Sequence, residues 1–242
     1  MTARTPLDFK VLYTRFQSPV AMVNCGDCCA PHNELGVPFC CDARHAIPTA
    51  YLSEWEYLKK ASNLWQRWDG SSQEETAYLR AQAPDDQVLI VCKGHLHCDR
   101  QFRAFTCRAF PFFPYITRQG RFIGLTYFWE FEDRCWVISH LEVVSSQFVT
   151  ELVRAFEEIF RNYPLEKEEY RYQSSKMRRS FGQQHRYIPV LHCDGHTYEV
   201  MPGNGLLRKV PIETLPQFGA YKIAEEMPFP DEIDAPVGET DS

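Results

Sequence analysis

The stretch 23-VNCGDCCAPHNELGVPFCC-41 sets five cysteines into nineteen residues, four of them as two adjacent pairs. Gly, Pro and Asn recur through it and no hydrophobic period is sustained, so it predicts loop in place of helix or strand. A segment this poor in regular structure and this rich in thiols needs something other than backbone pairing to hold it. Disulfides, bound metal and simple burial are the three candidates.

Working outward, residues 18 to 48 share the same loop-rich character. In 47-IPTAYLSEWEYLKKASNLWQRW-68, Leu52, Trp55, Leu58, Ala61, Trp65 and Trp68 fall at steps of three and four. That spacing predicts one amphipathic helix with Thr49 as its N-cap. The stretch 71-SSQEETAYLRAQAP-84 predicts a short helix closed by Pro84, and 87-QVLIVC-92 a buried strand ending at Cys92. Residues 92 to 114, CKGHLHCDRQFRAFTCRAFPFFP, return to cysteines and turn residues with little period. The run after Gln119-Gly120 predicts a strand. In 145-SSQFVTELVRAFEEIFRNYP-164, Phe148, Leu152, Phe156, Ile159 and Phe160 share a helical face, with Ser145 or Ser146 as cap and Pro164 as boundary. A polar helix is expected over 166 to 181, and 187-YIPVLHCDGHTYEVMP-202 predicts a hairpin turning at Asp194-Gly195. With that turn, Cys193 would pair with His196 while His192 points to the other face. No repeat and no βαβ unit is visible, so the fold class is α+β: one irregular domain with a loop-rich cysteine cluster, several helices and a few short strands.

Composition narrows the function classes. The chain of 242 residues carries a net charge of −6, but its last eighteen residues, 225 to 242, hold seven acidic side chains and no basic one. Residues 1 to 224 are therefore near neutral and read as the single domain, followed by an acidic, disordered tail. No basic field points to a nucleic-acid partner. Asp8, Lys10 and Arg15 interrupt the first residues, unlike the apolar region of a signal peptide, and Glu130, Glu132, Asp133 and Arg134 interrupt the most apolar later stretch. A cytoplasmic protein without a membrane span is the expectation, and in that compartment a disulfide framework is the weaker explanation of ten cysteines.

Metal binding explains the clustering better. Zinc and iron–sulfur centres need thiolates converging from backbone that is free to turn. Cys25 and Cys28 have the spacing by which a tight turn offers two sulfurs to one ion. With Cys29, Cys40, Cys41, Cys92, Cys98 and Cys107 they make eight thiols from two regions, enough for one four-cysteine centre with spares or for two centres. His95 and His97, on one face of an extended stretch, could replace a thiolate. Cys135 and Cys193 are read as small buried hydrophobes. Arg103 and Arg108 suit the neighbourhood of a thiolate centre, whose excess negative charge a guanidinium offsets. No phosphate-binding loop, H-E-x-x-H or G-x-S-x-G is present. The run 203-GNGLLR-208 has Arg208 where a dinucleotide fingerprint needs its third glycine.

The motifs 25-CGDCC-29 and 92-CKGHLHCDRQFRAFTCRAFPF-112 together resemble the zinc- or iron-chelating cysteine-cluster family of the YkgJ type, whose pattern is C-x-x-C-x-x-C-C followed by C-R-x-[FY]-P. Cys98, Arg103, Cys107, Arg108, Phe110 and Pro111 match the later half, and Ile47-Pro48-Thr49 the phrase between. The early half departs, because Met22 stands where the first cysteine belongs. Either Cys28-Cys29 or, after an insertion, Cys40-Cys41 is the adjacent pair. The resemblance spans about residues 22 to 115 and implies a metal centre, iron–sulfur or zinc, more firmly than a reaction. A related region occurs in flagellin lysine N-methylases, but no nucleotide-binding signature here supports importing methyl transfer. The expected function is a metal-carrying protein assisting redox or group-transfer chemistry on a small molecule or a protein partner. The alternatives are a structural-zinc interaction module and a thiol redox sensor in which Cys25 and Cys28 oxidise reversibly.

Overall fold

A computed structural model describes residues 6–70 and 72–218. The acidic stretch 225 to 242 lies outside the described residues. The elements in chain order are α1 (Phe9–Arg15), α2 (Cys25–Cys29), β1 (Thr49–Tyr51), α3 (Leu52–Ala61), β2 (Trp65–Arg67), α4 (Gln73–Gln82), β3 (Gln87–Cys92) and α5 (Phe105–Ala109). They continue with β4 (Phe112–Ile116), β5 (Phe122–Tyr127), α6 (Trp136–Ser139), α7 (Ser146–Asn162), α8 (Pro164–Gln183), β6 (Ile188–His192), β7 (Thr197–Val200) and β8 (Leu207–Lys209). Two antiparallel sheets result, a small one ordered β1-β3-β2 and a larger one ordered β4-β5-β6-β7-β8. The chain is a single α+β domain, since one continuous apolar core runs from Leu7 to Leu215 and joins both sheets.

Helix α7 buries Phe148, Leu152, Phe156 and Ile159 on one face, and Ser145 caps it by accepting from Phe148 N–H at 3.1 Å. Pro164 does not merely bound this helix; it opens α8 at the first helical position, where its missing N–H costs nothing. Helix α8 lies along β4, an edge strand in which Pro114 could not have donated to a neighbour. Ser174 Oγ accepts from Ile116 N–H at 2.9 Å and Arg178 donates to Ile116 O at 2.8 Å, so side chains of α8 satisfy the open edge.

Two sequence expectations are corrected. The helix expected across 47 to 68 ends at Ala61; Thr49 sits in β1, and Tyr51, not Thr49, precedes the first helical residue. Ser62 turns extended, after which Trp65 pairs with Cys92 in the small sheet. The steps of three and four between Ala61, Trp65 and Trp68 thus come from a change of element that keeps the same core-facing side. The hairpin also shifts by one residue. Leu191 pairs with Thr197, so His192 stands opposite His196 and Cys193 to Gly195 form a three-residue turn. Gly195 at φ +84° occupies the left-handed position such a turn requires.

Candidate metal centre

Five separate chain segments carry the clustered thiols, and each is held by identifiable contacts. Helix α2 carries Cys25, Cys28 and Cys29, the last buried with its Sγ 3.7 Å from Gly26 O. A Cβ on Gly26 would come within 2.9 Å of Pro38, so the bare glycine lets α2 lie against the turn that bears Cys40 and Cys41. That turn is clamped from behind. Asp42 is buried, accepting from Asn33 at 3.0 Å and from Arg44 at 2.8 Å. Burial pushes its carboxyl up, but these hydrogen bonds outweigh it and lower the pKa to about 2.

Cys92 ends β3, and a short helical turn at His95–His97 leads to Cys98. The two histidines are therefore not on one face of an extended stretch: His95 lines the cleft described below, while His97 is exposed. Trp65 Nε1 donates to Phe102 O at 2.6 Å and fixes the loop after Cys98. Cys107 lies on α5, whose first N–H, from Phe105, donates to the buried Glu54 carboxyl at 2.6 Å. Glu54 also accepts from Tyr51 N–H at 3.1 Å and from the Tyr13 hydroxyl, so one carboxyl ties α1, α3 and α5 together.

These segments surround a cleft of about 680 Å³. Cys25, Cys40, Cys41, Cys92, Cys98 and Cys107 all line it, with Arg103 among them. A smaller cavity of about 70 Å³ adjoins, lined by Cys25, Cys29, Cys40, Cys107 and Cys135. Cys28 lines neither. The sulfurs of Cys40 and Cys41 stand 4.0 Å apart, and all ten cysteines are free thiols. Among the described residues no three His, Cys, Asp or Glu side chains stand close enough together to hold one ion as placed.

The two arginines chosen from sequence occupy different positions. Arg103 Nε donates to Cys98 Sγ at 3.0 Å, the contact a thiolate would strengthen. Arg108 instead donates to three carbonyls, Arg103 O at 2.9 Å, Phe16 O at 2.7 Å and Gln101 O at 2.7 Å, and rests 4.0 Å over the Tyr13 ring. It staples the 100–108 loop onto α1.

Electrostatics follow from burial. Desolvation pushes the Cys107 thiol far above the ordinary cysteine range, with the neighbouring Cys41 and Cys92 adding to the shift and Arg103 opposing it. Burial likewise raises Cys29 to about 11 and Cys135 to about 12. Within the Cys40–Cys41 pair the shared hydrogen bond raises Cys40 and lowers Cys41, so Cys41 is the first to become a thiolate. Metal binding would replace these protons, which makes affinity rise with pH.

Soft donors of the kind a zinc or iron–sulfur centre takes line the cleft, although as placed no three of them converge on one point. A guanidinium sits on one sulfur, and a second cation, Arg134, lies buried with Asp133 3.4 Å from its Nε. Arg134 is only 3% exposed, its Nε and one terminal nitrogen make no hydrogen bond, and it lines the smaller cavity. Cys135 beside it, expected as a small buried hydrophobe, is half-buried and lines the same cavity. Cys193, by contrast, is exposed on the hairpin turn and not a buried hydrophobe.

No family model matches the chain, and no curated protein or solved structure does either. Among the described residues no helix is long and apolar enough to cross a membrane.

Proposed function

We propose that the chain is a metal-carrying protein whose cysteine-lined cleft holds a thiolate-ligated centre, zinc or an iron–sulfur cluster. The observation that carries this reading is the meeting of six thiols, from two regions about fifty residues apart in sequence, around one cleft with Arg103 on the Cys98 sulfur. Cys41, Cys92, Cys98 and Cys107 all line this cleft together with Arg103, and are the ligands proposed. The metal would supply a crosslink between sequence-distant loops and, as iron–sulfur, an electron. Binding of this kind stabilises the folded state in proportion to its affinity.

The test is reconstitution. Apo-protein is loaded with zinc, or with iron and sulfide, while thermal unfolding and thiol accessibility are followed. Loading should raise the melting temperature and protect Cys92, Cys98 and Cys107 from alkylation. Unchanged melting and unprotected thiols with either metal would refute the proposal.

A second reading, a thiol redox sensor, is favoured by the 4.0 Å approach of the Cys40 and Cys41 sulfurs together with the lowered pKa of Cys41. It expects a reversible disulfide in metal-free protein, seen as a loss of two titratable thiols restored by reductant.

A further inference from the structure

We propose that an arginine-lined cleft along α8, away from the cysteines, is a binding site for a small molecule bearing two phosphate groups. The inference is independent of the metal-centre reading.

The cleft measures about 710 Å³, within the range of roughly 300–1,000 Å³ usual for small-molecule sites. Arg171, Ser175, Arg178, Arg179 and Gly182 fall at helical steps of three and four, so one stripe of α8 forms a wall. Arg118, from the β4–β5 turn, and Pro202 and Gly203, from the β7–β8 turn, line it as well. Hydrogen bonds draw these segments together. Arg171 donates to Arg118 O at 3.4 Å and Arg178 to Ile116 O at 2.8 Å, while Arg118 donates to Pro202 O at 2.9 Å. Two guanidinia of α8 thus reach carbonyls two residues apart, and a third runs from that same segment to the β7–β8 turn.

The charge is local and unbalanced. Four arginines line the cleft against one carboxylate, Glu168, which pairs with Arg171 at 3.1 Å. Among the described residues, Arg118, Arg178 and Arg179 have no carboxylate within ion-pair distance, and Arg179 makes no hydrogen bond. Residues 1 to 224 as a whole are near neutral, so this concentration is not the overflow of a basic chain.

Arg178 decides the chemistry. It is only 8% exposed and cannot shed its charge, yet its described partners are neutral, Ile116 O and the Tyr115 ring 5.6 Å away. A cation taken out of water without an anion is costly, and an anion in the cleft supplies the missing partner. A phosphate monoester carries about −1.5 to −2 at neutral pH, so two of them match the three unpaired arginines, which a dicarboxylate does not. The planar guanidinium fork fits phosphate oxygens two at a time. Tyr172, 51% exposed, gives the cleft an apolar surface for an organic part.

Isothermal titration of the full chain with sodium pyrophosphate, at physiological ionic strength, tests this. The wild type should bind saturably at one site. Arg179→Gln should weaken binding by about tenfold, the effect of losing one charge-assisted contact. Gly203→Asp should weaken it similarly, because a Cβ there meets no atom within 4 Å and the new carboxylate enters the wall without a clash. Arg121→Gln, exposed on the same β4–β5 turn but outside the cleft, should leave the affinity unchanged. No saturable binding at millimolar pyrophosphate would overturn the proposal, and so would equal weakening by Arg121→Gln, the mark of diffuse attraction. Heat that Arg179→Gln leaves unaltered would overturn it too, since pyrophosphate would then be drawing metal from the cysteine cleft. A single-stranded oligonucleotide that displaces pyrophosphate at a lower phosphate concentration would overturn the small-molecule assignment in favour of a nucleic acid. The wild-type titration needs no variant, so misfolding of a variant cannot rescue the proposal.

Discussion

Arg108→Lys separates two roles that one positive charge could serve. The native guanidinium spans three carbonyls at 2.9, 2.7 and 2.7 Å, belonging to Arg103, Phe16 and Gln101. A lysine ammonium keeps the charge but is a compact point that cannot bridge three divergent acceptors. Losing two such bonds, at about 1.5 kcal/mol each, predicts a loss of about 3 kcal/mol. In a chain of this size that lowers the melting temperature by roughly 6–12 °C. Arg103→Lys, which gives up one donor to Cys98, should cost less in stability and more in metal retention. Urea unfolding of the two variants and the wild type, with metal content measured alongside, makes the comparison. An Arg108→Lys protein within about 0.5 kcal/mol of wild type would refute the reasoning. Charge would then be what the loop requires, and Arg108 would stand as a counter-ion to the thiolates.

Cys107→Ser should lower metal content and melting temperature together, whereas Cys193→Ser, exposed on the hairpin turn, should change neither; elemental analysis and thermal scans check both, and full metal in the first removes Cys107 from the ligands. Burial raises the Glu54 carboxyl to about 7 against hydrogen bonds from Tyr13, Phe105 and Tyr51. The folded chain therefore keeps a proton that the unfolded chain releases above about 4.5, and stability falls as pH rises through that window, by about 3 kcal/mol. Glu54→Gln has no such proton to lose, so the stability gap between wild type and variant should narrow by about that amount from pH 4.5 to 8 in urea titrations. Glu130 and Glu166 are raised in the same direction and are common to both proteins, so a gap that stays constant with pH would refute this role for Glu54.

The elements most legible in the sequence were those whose period and punctuation agree. Helix α7 has a five-residue apolar face and a serine cap, and β3 is a short β-branched run, so local signal and tertiary packing point the same way. The helix expected through Trp68 failed because burial, not helical geometry, spaces Trp65 and Trp68. Strand β4 begins inside the stretch 92 to 114, expected as loop for its cysteines, turn residues and lack of period, and it carries Pro114. Its place at the sheet edge makes the proline tolerable, and Ser174 and Arg178 of α8 bond the backbone of Ile116 beyond it. Within the site, the thiols near one another in sequence could be grouped, and the cleft brings six of them together. Cys135 could not be grouped, since it returns to the cluster only after the β4–β5 hairpin folds the chain back. The difference between Arg103 and Arg108 was equally hidden. Both are arginines near cysteines, and only the direction of their donors, sulfur for one and carbonyls for the other, tells them apart.

The central claim is that the thiols exist to hold metal. The most direct measurement is to purify the full chain without oxygen from metal-replete cells and determine iron, zinc and acid-labile sulfide per chain, with a visible spectrum and a thiol titration of the native protein. The account predicts stoichiometric zinc, or iron with matching sulfide and a brown colour, and few reactive thiols beyond Cys193. A colourless, metal-free protein in which the clustered cysteines titrate freely would contradict it.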